Sequence, residues 1–252
     1  MKKLIESTYR MIDHLGRSLL GFVFPPQCLS CGSLHDSEPF FLCRRCQNKL
    51  QEYIFPFCVK CRGALDFDQA GCPVCGLKKL PIKRGWTLTG YDDVSKPLIF
   101  AFKYHGILPV GYYLSRRLAE IIGQGGGHNA LDMVVPVPLH SSRKRKRGFN
   151  QSLIISEILA DRLELPLADE AILRIRRTKS QTGLPSKDRR ENMRNAFGVR
   201  DNHKIEGRHL LLVDDVITTG ATSMEAARTL VNAGASAVTL AVLAVAGSDD
   251  IF

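Results

Sequence analysis

Eight cysteines, all within the first 75 residues and all in C-x-x-C pairs, constrain this chain more than any other feature: Cys28/Cys31, Cys43/Cys46, Cys58/Cys61 and Cys72/Cys75. Two thiolates on one tight turn take one edge of a tetrahedron, so two such turns make a four-cysteine metal site. Cys31 and Cys75 are each followed by glycine, as such a turn favours. A disulfide framework would suit a secreted chain. The N-terminus does not read as a secretory signal, because Glu6, Arg10, Asp13 and Arg17 interrupt what would have to be a continuous apolar core. Redox-active cysteines are the other reading. Four pairs supply two complete sites with no open coordination position, so the metal, read as zinc, serves folding and not catalysis. Eleven residues separate Cys31 from Cys43, and ten separate Cys61 from Cys72. Sequential sites (28/31/43/46 and 58/61/72/75) close the shortest loops; a crossed pairing stays open at this point.

Metal also changes the charge. The formal net charge is +10, and eight thiolates with two divalent ions subtract four charges, leaving about +6. That charge is local. Arg143 to Arg147 are five consecutive basic residues, and Arg174 to Arg194 holds eight Lys/Arg against Asp188 and Glu191. Two anion-facing segments account for this better than a uniformly basic surface, although a charge run is also what a solvated face looks like. No stretch of about 18 apolar residues exists, so no membrane span is expected, and the chain reads as cytoplasmic. Ile5, Ile12, Leu15 and Leu19 follow a helical period, which predicts an amphipathic helix over residues 1–24.

Beyond Cys75, "GLKKLPIKRG" reads as a linker. Apolar strands then alternate with helical segments. Strands are predicted at Trp86 to Tyr91, in "LDMVVPVPL", in "AILRIRRT", at the "LLLV" before the aspartates (ending at Val213) and in "AVTLAVLAVAG". Helices are predicted from about Lys96 to Gly106, Pro109 to Ile122, in "NQSLIISEILADRLE", around Lys187 to Asn195 and from about Ser223. Wholly apolar strands alternating with helices predict a parallel sheet covered on both faces. The chain thus divides into the helix of residues 1–24, a double metal-binding module over 25–80 and an α/β domain over 86–252.

Ligands of such sheets lie at the carboxyl ends of the strands. There the chain carries "VDDVITTGAT", Val213 to Thr222. The N–H groups that open a helix are unpaired and the helix dipole favours an anion, while Gly220 permits close backbone approach. Thr218, Thr219 and Thr222 add hydroxyl donors. This is a phosphate cradle without the G-x-x-x-x-G-K-[ST] pattern of a P-loop. Asp214 and Asp215 beside it accept only, which suits sugar hydroxyls or hydrated Mg²⁺.

Leu210 to Thr222 resembles the signature by which type I phosphoribosyltransferases bind phosphoribosyl pyrophosphate (PRPP). The whole chain resembles the ComF family, associated with bacterial DNA uptake and competence, which joins a multi-cysteine zinc module to such a domain. "FKYHG" (Phe102 to Gly106), "VPVPLHSSRKRKRGFNQS" (Val135 to Ser152), "RTKSQTGL" (Arg177 to Leu184) and "NMRNAF" (Asn192 to Phe197) carry the resemblance over nearly the full length. It implies that Asp214 and Asp215 bind the ribose 2′- and 3′-hydroxyls and that Thr218, Thr219, Gly220, Ala221 and Thr222 cradle the 5′-phosphate. It further implies that Arg147, Gly148, Asn150 and Gln151 meet the pyrophosphate and that Lys103 lies near the reacting centre. The segment with Arg177, Thr178 and Gln181 resembles the flexible lid of the fold. The reaction implied is displacement of Mg²⁺-pyrophosphate from C1 through an oxocarbenium-like centre, with Asp214, Asp215, Lys103 and Arg147 as its catalytic set. Three functions follow: phosphoribosyl transfer to an acceptor the sequence does not name, PRPP binding without turnover, or handling of single-stranded DNA with uptake or recombination proteins as partners. For the last, the basic run and Phe149 are the expected contacts. Trp86 is expected in the core.

Overall fold

The computed structural model describes residues 26–65, 72–76, 80–82, 84–126, 128–140, 145, 147–176, 178, 186–201 and 204–247. The helix expected over 1–24 lies outside them. A short helix, α1 (Arg44–Lys49), belongs to the cysteine-rich segment. Then follow β1 (Arg84–Gly90), α2 (Ser95–His105), α3 (Leu108–Gln124), β2 (Met133–Pro136), α4 (Gln151–Leu163), β3 (Ile172–Arg174), α5 (Ser186–Met193), β4 (Phe197–Val199), β5 (His209–Ile217), α6 (Ala221–Asn232) and β6 (Ala237–Val245).

Four strands form one sheet in the order β1-β6-β5-β2, with every neighbouring pair parallel. The central strands are apolar on both sides because both faces are covered. Leu211 and Val213 of β5 and Ala241 and Leu243 of β6 face one core with Leu98 and Phe102 of α2, Leu114 and Leu118 of α3, and Ile155 and Leu159 of α4. Their neighbours Leu210, Leu212, Val238, Leu240 and Val242 face a second core with Ala226, Ala227 and Leu230 of α6. Trp86 is completely buried in the first core, as expected.

The predicted strand in "AILRIRRT" forms, but outside the parallel sheet. Β3 pairs antiparallel with β4, a strand that sequence periodicity did not reveal, in a separate two-stranded sheet. Both strands have three residues, too short to show a period, and Leu173 and Ile175 are exposed. This small sheet helps α6 cover the second face through Ile172 and Phe197.

The cysteine-rich segment is built into the same molecule. Cys28, Phe41, Leu42, Cys43, Cys46 and Leu50 belong to the first core, next to Trp86. Tyr53 N–H donates to Leu88 O at 3.0 Å, and Phe57 exchanges two hydrogen bonds with Gly85 at 2.7 and 2.9 Å, so residues 53–57 shield the open edge of β1. Gly85 is needed there, since a Cβ would lie 2.6 Å from the Phe57 ring. Arg117 of α3 also grips Glu52 through two 2.8 Å hydrogen bonds. Among the described residues no helix is long and apolar enough to cross a membrane.

Candidate ligand site and metal clusters

Β2 and β5 run parallel and side by side, so their carboxyl ends open on one edge, where α4 and α6 begin. The sequence placed the end of β5 at Val213. The strand instead continues through both aspartates to Ile217, because nine-residue β6 keeps pairing with it (Asp214 against Val242, Ile217 against Val245). The aspartates therefore point to opposite faces. Asp214 meets the two helix starts, accepting from Ser152 Oγ at 3.3 Å and from Ser223 Oγ at 3.2 Å. Asp215 is buried and pairs with Lys103 of α2, Nζ to Oδ2 at 2.7 Å. Α2 is held for this by Phe102, whose ring fills the space that a Cβ on Gly111 of α3 would occupy, at 2.4 Å.

Burial, and then the neighbouring charge of Asp215, push the Asp214 carboxyl up to about 6. Lys103 is the opposite case. Burial works against its charge, but Asp215 and then Asp214 outweigh it and raise its pKa, so it stays cationic.

Α6 begins at Ala221, two residues before the predicted start, because Gly220 turns the chain in the left-handed region at φ +73 and no side chain caps the first turn. That leaves its N–H groups open to an anion. Thr219 Oγ1 is buried without a hydrogen-bond partner, and so is Asn150 Oδ1 across the edge. Such orphaned polar atoms fit a polar ligand. The residues drawn from the basic stretch form a chain: Arg147 donates to Gln151 Oε1 at 3.2 Å, and Gln151 Nε2 donates to Lys103 O at 3.1 Å. Asn150 Nδ2 donates to Val137 O at 3.2 Å, while Gly148, at φ +82, is exposed. Arg177 and Gln181 lie outside the described residues. Thr178 is buried and accepts a hydrogen bond from Arg174.

Sequence reasoning passed over three contributors. Ser152 lies inside a quoted motif and Ser223 follows the cradle, so position along the chain marked both without singling them out. Arg62 was out of reach. It comes from the cysteine-rich segment, 156 residues away, and donates to Thr218 O at 2.6 Å.

The cysteines group as 28/31/43/46 and 58/61/72/75, with the four sulfurs of each set within 4.8 Å of one another. The sequential pairing is thus the one adopted. Sulfur separations of 3.7 Å (Cys31–Cys43), 3.8 Å (Cys58–Cys75) and 3.4 Å (Cys61–Cys72) are close to the ~3.8 Å edge of a tetrahedron with ~2.3 Å metal–sulfur bonds. Both clusters fit a tetrahedral metal ion.

The second half of the chain is of a known class: residues 150–251 match the phosphoribosyl transferase domain. The chain is 32% identical to competence protein F of Haemophilus influenzae over 210 residues, 81% of this chain and 90% of that protein. It is 34% identical to the DNA utilization protein YhgH of Escherichia coli, over 78% of this chain and 93% of that one. Competence protein ComFC of Bacillus subtilis is 26% identical over 78% and 80%. The chain belongs to the ComF family. A glutamine PRPP amidotransferase of B. subtilis shares 20% identity over 57% of this chain and 30% of its own, with a TM-score of 0.40, too distant a likeness to bear on function.

Proposed function

We propose that this chain binds PRPP with Mg²⁺ at the edge formed by β2, β5, α4 and α6, with residues 86–252 as the ligand-binding unit. The observation that carries this reading is the Asp214–Asp215 pair beside an uncapped helix start. Two acceptor-only groups suit a ribose diol, and the Thr218-to-Thr222 loop, with its orphaned Thr219 hydroxyl, suits a phosphate. Lys103 pairs with Asp215 and orients it. Arg147 offsets negative charge on a departing diphosphate, and Gln151, bonded to both Arg147 and the Lys103 backbone, keeps the two cations in register. Mg²⁺, when bound, supplies further charge neutralisation on the diphosphate. The four-cysteine clusters of residues 25–80 hold structural zinc in this reading, and the protein works in the cytoplasm.

Calorimetry with Mg²⁺ and PRPP on the wild type and on Asp214→Ala/Asp215→Ala tests this. Saturable binding lost in the variant is expected, and a wild type that takes up no PRPP refutes it. Pyrophosphate release on adding nucleobases, amines or DNA separates transfer from binding alone.

A second reading, contact with single-stranded DNA, is favoured by one surface. Phe100, Tyr104 and His105 are exposed on α2, with ring centroids 4.8 Å (Phe100–Tyr104) and 5.3 Å (Phe100–His105) apart, and the Arg147 guanidinium lies 5.0 Å from the Tyr104 ring. Exposed aromatics beside a cation suit unpaired bases and phosphates. Phe149, the aromatic that the sequence suggested, is instead half-buried against Phe102 at 5.9 Å. The relatives' names, competence and DNA utilization, agree with this reading. Oligo-dT binding that weakens steeply with salt and falls about tenfold in Phe100→Ala/Tyr104→Ala is expected; unchanged binding in that variant removes this surface from the reading.

A further inference from the structure

Three of the cysteine turns close in the same way. The residue after the second cysteine enters the left-handed region, and its N–H donates back to the first cysteine's carbonyl. Gly32 does so at φ +72 with a 2.9 Å bond to Cys28 O, and Gly76 at φ +64 with a 2.9 Å bond to Cys72 O. The turn at Cys58–Cys61 has the same form, at φ +69 and 2.8 Å to Cys58 O, but its residue is Arg62. Glycine adopts this conformation freely, whereas an L side chain is strained in it and persists only where its surroundings hold it.

The guanidinium shows what holds it. One terminal nitrogen donates to Val59 O at 2.7 Å within the turn. The other donates to Thr218 O at 2.6 Å, at the start of the cradle loop. The cation also lies 5.9 Å from the Phe57 ring centroid, over the residue that docks on Gly85 of β1. In a planar trans peptide the next N–H points opposite to the carbonyl. A Thr218 carbonyl held by Arg62 therefore keeps its negative end on the arginine and turns the Thr219 N–H the other way.

We propose that Arg62 is a positioning residue of the ligand site: it fastens the 218–222 loop to the second four-cysteine turn and sets the loop's peptide planes for an anion. The proposal rests on the reading of that loop as the phosphate cradle. It also joins two segments that the chain order keeps apart, so a metal-binding turn becomes part of the wall of the ligand site.

Arg62→Gly is the informative variant, because glycine relieves the strain of the turn while deleting both side-chain bonds. Three measurements are made on the full chain: zinc content, Mg²⁺-PRPP affinity, and amide exchange at residues 219–222 without ligand. The expected result is zinc retained at the wild-type level, a thermal midpoint equal or higher, affinity down about tenfold and faster exchange confined to the loop. Arg62→Lys, which reaches one carbonyl but not both, should fall between. Wild-type affinity and wild-type exchange in Arg62→Gly would overturn the proposal. So would zinc loss in step with affinity loss, since the role would then be support of the turn. If the wild type itself binds no PRPP, the ligand reading fails, and loop exchange in the unliganded proteins alone decides Arg62.

Discussion

Asp214 sits between the starts of α4 and α6, where Ser152 and Ser223 donate to it. Its carboxyl titrates at about 6, whereas an unfolded aspartate titrates near ~3.9. The folded state therefore binds the proton more tightly, and stability falls as pH rises from about 4 through about 6. Asp214→Asn should stabilise the protein by about 1–3 kcal/mol at pH 7.5 and by almost nothing below about pH 4, as read from urea melts at both pH values. In the proposed function the charged Asp214 binds the ligand, so PRPP affinity should weaken as pH drops below about 6, and Asp214→Asn should abolish that dependence with the binding. Lys103 has the reverse bearing on its partner. Lys103→Met leaves Asp215 buried without its cation and should cost about 2 kcal/mol, most of it recovered in Lys103→Met/Asp215→Asn; a double-mutant cycle by thermal melting checks this.

At the scale of elements, two glycines set the geometry of the site. Gly220 turns β5 into α6 at φ +73, with a Cβ position 3.3 Å from Ile217 Cδ1. Gly220→Ala should cost about 1–2 kcal/mol in thermal stability and weaken PRPP binding by more than the stability loss alone explains. Gly111 lets α3 approach α2 over Phe102. Gly111→Ala should push α2 outward and part the Lys103–Asp215 contact, which appears as lower PRPP affinity with the strand-end loop otherwise intact. These elements were legible to different degrees. Α4 and β6 announced themselves through long apolar patterns. The end of β5 did not, because two aspartates look like a strand terminus until the length of the neighbouring strand is known. Β3 and β4 were beyond the reach of periodicity at three residues each.

At the scale of the whole molecule, the first half of the cysteine-rich segment packs in the main core, while Cys58, Leu65 and Cys72 form a small cluster of their own. Cys28, Cys43 and Cys46 pack in the same cluster as Trp86 and Leu98. With the proposed zinc bound, a strong chelator should therefore give a single cooperative loss of structure, with Trp86 emission shifting to longer wavelength together with the loss of helical circular dichroism. Two separate transitions would show the cysteine segment to be independent of the sheet.

The chemistry was written in the sequence: eight paired cysteines, an apolar strand running into two aspartates, and a glycine and three threonines before a helix. Each is a local pattern, dictated by ligand geometry, strand periodicity or the unpaired N–H groups at a helix start. Tertiary structure alone decided which partners these groups meet. It put Lys103 on Asp215, Ser152 and Ser223 on Asp214, and Arg62 on Thr218. All but the Ser223 contact span long stretches of chain and depend on how the helices pack and how the cysteine turns dock on β1. That depends on the summed burial of many side chains, which no short stretch of sequence contains.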